Sequence, residues 1–241
     1  MSMSIGCVGC GNMGGAILAG LAASSLDCTL YGHTRTAARM APLEAAGVTR
    51  LDSARELARK ARYVVMAVKP YQIEALLAEM APEFGPDTVV ISVAAGISIA
   101  RLQAAVAGRC PVVRCMPNTP ALVGKGVFAL CFDDKVPAES KEDILRFFSQ
   151  LGVCLELPES RFTAFSALIG AGPAYVFGMM QGLVQAGVTL GLGRKDCRDM
   201  VAALFEGSAV MAARSDTPLM ELRDQVCSPG GLTIAGVNVL D

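Results

Sequence analysis

The chain has 241 residues, 53% of them hydrophobic and 18% charged, with a formal net charge of −1. That length suits one large domain or two smaller ones with a proper core, and the near-zero charge gives no footing for nucleic acid or an anionic membrane surface. The high apolar content, broken every few residues by Gly or Pro, predicts buried parallel strands, packed helices and further apolar surface covered by self-association.

Charged residues are expected to interrupt every apolar run before it reaches membrane-spanning length. The N-terminus enters a strand pattern with no basic leader, so no signal peptide is expected. Nine cysteines, an odd number in mostly apolar runs, read as reduced thiols of a cytoplasmic protein. The single His33 is expected in the loop after the second strand; without partner histidines it gives no metal site.

The first strand ends in Val8-Gly9-Cys10-Gly11-Asn12-Met13-Gly14, and a helical pattern over residues 13–23 follows at once. Strand, glycine turn and helix in that order form a dinucleotide fingerprint. Gly9 serves the tight turn, Gly11 the close approach of backbone to a pyrophosphate, and Gly14 the close packing of helix on strand. Cys7-x-x-Cys10 straddles this turn, whose glycines already account for the spacing, so redox or metal duty is not expected. The second strand, residues 28–31, leads into Gly32-His33-Thr34-Arg35-Thr36. A carboxylate there would hold the ribose hydroxyls of NAD. Thr34, Arg35 and Thr36 instead favour a 2′-phosphate, so NADP(H) is the preferred cofactor and NAD(H) the alternative.

A helix over 37–46 stopped by Gly47, a strand over 48–51 and a helix capped by Asp52 or Ser53 follow. The run 63–68 is apolar throughout, as a central parallel strand should be, and ends at Ala67-Val68-Lys69-Pro70, where ligands sit in an open α/β sheet. The strand 88–93 ends in Val93-Ala94-Ala95, whose small side chains leave room for a flat ring. The strand 111–115 runs into Met116-Pro117-Asn118-Thr119-Pro120, where two prolines stiffen the backbone that presents Asn118. Strands at 126–132 and 153–157 flank a helix over 138–151.

After residue 157 strand patterns stop. Helices are expected over 162–169, 175–190, 195–213 and 219–225, apolar on more than one face and therefore covered, most simply by a second subunit. The fold class is thus α/β, an N-terminal Rossmann-like dinucleotide-binding domain (1–157) followed by an all-helical dimerisation and substrate domain (158–241). The last motif is Ser228-Pro229-Gly230-Gly231-Leu232-Thr233. Ser228 is expected as an N-cap and Pro229 in the first helical turn, leaving free N–H groups suited to a carboxylate or phosphate.

Gly9-Cys10-Gly11-Asn12-Met13-Gly14, Ala67-Val68-Lys69-Pro70, Met116-Pro117-Asn118-Thr119-Pro120, Gly172-Pro173-Ala174-Tyr175 and Ser228-Pro229-Gly230-Gly231-x-Thr233, in this order, closely resemble the pyrroline-5-carboxylate reductase family across essentially the whole chain. The resemblance implies NAD(P)H-dependent reduction of 1-pyrroline-5-carboxylate to L-proline, interlocked dimers that can assemble into a decamer, and an active site shared between subunits. It implies cofactor contacts at Val8 through Met13, Thr34, Lys69, Pro70 and Val93 through Ala95, and substrate contacts at Leu232 and Thr233. Asp216 stands where members usually carry Glu, Ile169 and Ala171 where they often carry Ser, and Ala54 where many carry Asn; the family usually continues past residue 241.

Hydride transfer to a C=N carbon requires two rings held at near-attack distance. No His or Lys acid stands beside the expected substrate, which leaves Thr233 as the catalytic candidate, donating a hydrogen bond to the ring nitrogen or relaying a proton from water. Asp216, Ser228, Gly230, Gly231 and Leu232 complete the substrate set. The alternatives are a reductase of another cyclic imine, a non-catalytic NADP sensor, and a 3-hydroxyacid or ketopantoate reductase. The last would need a catalytic lysine in the helical half, where only Lys195 stands, expected at the surface.

Overall fold

The computed structural model describes residues 3–241. The chain runs β1 (Met3–Val8), α1 (Asn12–Ala22), β2 (Cys28–His33), α2 (Ala41–Ala45), β3 (Thr49–Arg50), α3 (Ala54–Lys60), β4 (Tyr63–Met66), α4 (Pro70–Met80), β5 (Val89–Ser92), α5 (Ile99–Ala105), β6 (Val112–Met116), β7 (Gly126–Phe132), α6 (Ala138–Ser149) and β8 (Gly152–Glu156). Five helices follow: α7 (Phe162–Phe165), α8 (Gly172–Thr189), α9 (Arg194–Ala213), α10 (Leu219–Gln225) and α11 (Leu232–Leu240).

The sheet order is β3-β2-β1-β4-β5-β6-β7-β8. Pairings are parallel except β6 with β7. The first six strands therefore have the doubly wound dinucleotide-binding order, which reverses between β1 and β4. The apolar runs are continuous because helices cover both faces. Along β4, Tyr63 and Val65 face the core built with Ile17, Leu21 and Phe147, while Val64 and Met66 face the one built with Leu57, Ile73 and Leu77. Phe128, Phe147 and Phe148 are fully buried, and Phe148 has ring centroids 5.0 Å from Phe128 and 4.6 Å from Phe147.

Several local expectations are corrected. β2 continues through Gly32 to His33 because His33 pairs with Val8 and its Nδ1 lies 3.0 Å from the Leu51 carbonyl oxygen, pinning the strand end to the β3 side. The expected helix over 37–46 splits into a 3-10 turn (Ala37–Arg39) and α2, since Pro42 has no N–H to continue the ladder. The expected helix over 162–169 is one α turn followed by a π turn, Ser166–Gly170. Of the two candidate caps for α3, Ser53 acts: its Oγ accepts from Glu56 N at 3.1 Å.

Two compact units divide after Pro173. In the first, Phe162 and Phe165 pack against Ala129, with Met116 and Val127 alongside. The second, Ala174–Asp241, has a small core of Val184, Cys197 and Val201. It leaves Phe177, Met179, Leu183 and Leu204 exposed. The expectation that charge interrupts every long apolar run fails here. No charged residue stands between Arg161 and Arg194, and the helical run Glu159–Thr189, 31 residues holding an 18-residue window of mean hydropathy 1.4, is long and apolar enough to cross a membrane by length and composition.

Candidate active site

The carboxyl ends of β1, β2, β4 and β5 open onto a cleft of about 1100 Å³, slightly above the usual range for small-molecule sites of about 300–1,000 Å³. It lies at the switch point of the sheet, where open α/β sheets bind ligands. Val8, Gly9, Gly11, Asn12 and Met13 line it from the glycine turn, Thr34 and Arg35 from the end of β2, Ala67, Val68, Lys69 and Pro70 from the end of β4, and Val93, Ala94 and Ala95 from the end of β5.

The turn is built by its glycines in different ways. Gly9 has φ +95°, which L side chains rarely adopt, and its N–H donates to His33 O at 2.8 Å. A Cβ on Gly14 would run into the Gly9 carbonyl oxygen and stand 2.8 Å from the Cys7 sulfur, so that position is fixed by helix-to-strand packing. A Cβ on Gly11 would meet only Nη1 of Arg39, at 3.0 Å. Gly11 therefore leaves a space that the protein itself does not fill. Gly11 is also the N-cap of α1, with no side-chain cap bond and no acidic residue in the first turn, so the first N–H groups and the positive end of the helix dipole are available to an anion.

At the end of β5, Ser92 is fully buried and its Oγ accepts from Ala94 N at 3.3 Å, which shapes the small-residue turn. At the start of α4, Lys69 N donates to Gln72 Oε1 at 3.3 Å. The donor set fits a dinucleotide: cations at Arg35, Arg39 and Lys69, free amides at α1, and a floor of small side chains.

Two cofactor-side candidates do not line this cleft. Cys10 is buried, with its Sγ 3.7 Å from both Cys7 O and His33 O. Asn118 is also buried: its Oδ1 accepts from Val127 N at 2.9 Å and its Nδ2 donates to Ile169 O at 3.2 Å, tying the proline-flanked loop to β7 and the π turn. Thr36, read with Thr34 and Arg35, also lines the cleft, and sequence reasoning missed Arg39 and Tyr71 on the rim. Arg39 carried a signal, a second arginine four positions after Arg35.

In the second unit, Ser228 is not a helix cap. The N-cap of α11 is Gly231, and residues 228–231 form a turn in which Gly231 N donates to Ser228 O at 3.0 Å, with Gly230 at φ +68°. A Cβ on Gly231 would collide with the Ser228 hydroxyl, so the turn as built needs glycine at that position. Leu232 and Thr233 open α11, both exposed, with no side-chain cap and no acidic residue in the first turn. Asp216 lies between α9 and α10, at the Ser215–Thr217 turn where Thr217 N donates to Ser215 Oγ at 3.0 Å. Arg223 reaches Asp241 at 3.0 Å, fastening α10 to the end of α11.

All nine cysteines are free. Hydrogen bonding with Cys10 and complete burial push the Cys7 thiol up, burial first and Cys154 second do the same at Cys115, and burial pushes Cys110 up to about 12. Such thiols stay protonated and unreactive near neutrality. Among the described residues no group of three His, Cys, Asp or Glu side chains is placed to hold a metal ion.

A doubly wound sheet with a glycine-turn cleft at its switch point defines a dinucleotide-binding protein, and residues 4–96 match the family model described as NADP oxidoreductase, coenzyme F420-dependent. Residues 159–241 match the model described as pyrroline-5-carboxylate reductase dimerisation. The pyrroline-5-carboxylate reductase of Escherichia coli (strain K12) is 35% identical over 244 residues, which covers 100% of this chain and 91% of that protein. The enzyme of the same name from Corynebacterium melassecola is 36% identical, covering 99% and 90%. Among solved structures, a pyrroline-5-carboxylate reductase from Coxiella burnetii superposes with TM-score 0.90 at 30% identity over 100% of this chain and 90% of that one. The Plasmodium falciparum pyrroline carboxylate reductase with NADP bound gives 0.86 at 31%, over 99% and 89%. The chain belongs to the pyrroline-5-carboxylate reductase family.

Proposed function

We propose that this chain reduces 1-pyrroline-5-carboxylate to L-proline, the last step of proline synthesis, with NADP(H) as its preferred cofactor and NAD(H) as the second. The observation that carries this reading is the likeness to pyrroline-5-carboxylate reductases over the full chain at 35% identity, together with a cleft whose β2 end offers Thr34 and Arg35 where an NAD site offers a carboxylate.

Reduced nicotinamide supplies the hydride when bound. The chain's own residues do the rest. The N–H groups opening α1 hold the phosphates over Gly11, and Thr34 with Arg35 takes the 2′-phosphate. Val8, Gly9, Asn12, Met13 and the small residues Ala67, Val93, Ala94 and Ala95 shape the space for the ring, with Val68, Lys69 and Pro70 on its rim. Cys10 contributes through its backbone in the turn. Asn118 contributes by fixing the loop it stands in, since its side-chain oxygen and nitrogen are engaged with Val127 and Ile169. On the substrate side, the backbone amides of Leu232 and Thr233 at the open start of α11 take the carboxylate, with Ser228, Gly230 and Gly231 setting the turn before them. Thr233 donates its hydroxyl hydrogen bond to the ring nitrogen, which makes the imine carbon a better hydride acceptor. Asp216 stands on the substrate side as a short carboxylate.

The functional boundary falls between residues 157 and 158, a reading supported by the start of the dimerisation match at 159. The apolar face of the helical unit is assigned to a dimer, with assembly of five dimers into a decamer, rather than to a membrane; nucleic acid is not a partner. Nine free thiols support a cytoplasmic location.

The test is direct. Purified protein is mixed with 1-pyrroline-5-carboxylate and either NADPH or NADH, and loss of the reduced nicotinamide absorbance is followed. Turnover with NADPH favoured is expected. Protein that binds NADPH but does not turn over would overturn the reading and point to a different cyclic imine.

A further inference from the structure

The guanidinium of Arg39 lies over the glycine turn, with Nη1 3.0 Å from where a Cβ on Gly11 would stand. It reaches there from the 3-10 turn Ala37–Arg39, whose last residue it is. Among the described residues no hydrogen bond or ion pair engages its side chain, and it lines the same cleft as Arg35 and Lys69. Arg39 is exposed at the rim of the cleft, and what it lies over, the uncapped start of α1 with no acid in its first turn, has the same positive polarity and offers it no partner. Two positive groups converging on one unfilled space are arranged for an anion between them.

We propose that Arg39 is a phosphate clamp, closing over the cofactor's pyrophosphate from the side opposite the α1 amides, and that it is distinct in duty from Arg35. Arg35 stands two residues after the end of β2 and faces the 2′ position, which only NADP carries phosphorylated; Arg39 stands at Gly11, where every dinucleotide carries its pyrophosphate. The planar guanidinium can donate two parallel N–H bonds to one phosphate, which a lysine cannot. Arg39 thus sets affinity for either cofactor and Arg35 sets the choice between them. This inference rests on the dinucleotide reading of the cleft and not on the identity of the imine.

The test uses the full chain and two cofactor fragments, followed by calorimetry: ADP-ribose, which has the pyrophosphate and no 2′-phosphate, and adenosine 2′-monophosphate, which has the reverse. Arg39→Ala is expected to weaken ADP-ribose by about tenfold and leave adenosine 2′-monophosphate unchanged. Arg35→Ala is expected to do the opposite, and Arg39→Lys to fall between wild type and Arg39→Ala for ADP-ribose. In steady-state assays Arg39→Ala raises KM for NADPH and NADH by the same factor, while Arg35→Ala raises it for NADPH alone. Unchanged binding of ADP-ribose to Arg39→Ala would overturn the assignment, as would loss confined to adenosine 2′-monophosphate, or failure of the wild-type chain to bind ADP-ribose. A wild-type chain that binds ADP-ribose and reduces no pyrroline-5-carboxylate would instead count against the substrate reading alone.

Discussion

Thr233 carries the only hydroxyl in the first turn of α11. Thr233→Ala is expected to lower kcat at least tenfold, about 1.4 kcal/mol of barrier, with the KM for NADPH unchanged; unaltered kcat would remove it from the mechanism. Gly14 is constrained by its surroundings. Gly14→Ala forces a methyl against the Gly9 carbonyl and the Cys7 sulfur, which should cost about 1–3 kcal/mol of stability by urea unfolding and weaken NADPH binding by displacing the turn. Residues whose role lies in backbone geometry were legible in the sequence: Gly9 was assigned a tight turn and has φ +95°. Residues whose role depends on a side chain folding back were not. Asn118 looked like a ligand contact because it is polar between two prolines, yet its amide satisfies Val127 N and Ile169 O. Arg39 drew no reading at all, because its spacing from Arg35 does not by itself place a turn over Gly11.

At the scale of elements, the parallel strands could be read because both faces are buried and leave uninterrupted apolar runs, as over Tyr63–Met66 and Val89–Ser92. Errors gathered where one residue overrides periodicity: Pro42 divides an amphipathic stretch, and Gly231 caps α11 in place of Ser228. The aromatic cluster beneath β7 gives a sharp test of the packing. Phe148→Ala should cost about 3–5 kcal/mol, measured by denaturant unfolding, while Phe177→Ala on the exposed face of α8 should cost the isolated subunit little. The buried thiols give the fold a pH signature. Burial raises Cys110 and Cys115, so the folded state holds protons that an unfolded chain releases above about pH 8.5. Fewer protons bound in the unfolded state means stability falls as pH rises through that window, by up to about 1.4 kcal/mol per pH unit for each fully protected thiol. Urea midpoints under reducing conditions should therefore drop between pH 8 and 10; equal midpoints would show that these thiols titrate normally.

For the whole molecule, the decisive feature is an apolar helical unit with little core of its own. Val184 is the one buried residue of α8, while Met179 is 62% exposed and Leu204 on α9 54%. Such a surface is covered in solution, and the match of residues 159–241 to a dimerisation model says by what. Met179→Arg combined with Leu204→Glu should shift the mass read by light scattering toward the monomer and abolish turnover; a variant that kept its wild-type mass would place the subunit interface elsewhere. The sequence announced that this half was helical and apolar all round. The uncharged stretch after Arg161 was there to be read as well; what the sequence did not show is that α7 and α8 run on through a π turn as one helical run.

The central place of β1 has a consequence in time. It comes before β2 and β4 in the chain, yet it is sandwiched between them. Arg62 N, which ends up on Ser4 Oγ, lies 58 residues further along the chain. At synthesis rates of about 5–20 residues per second, β1 waits roughly 3 to 12 s for that neighbour. Its earlier companions are β2, reached by the crossover through α1, and the short β3 that pairs with β2, so the edge of β1 that β4 will cover has no strand to pair with for those seconds. The cofactor turn is thus complete in sequence long before the ribosome has delivered the strand that holds it in shape.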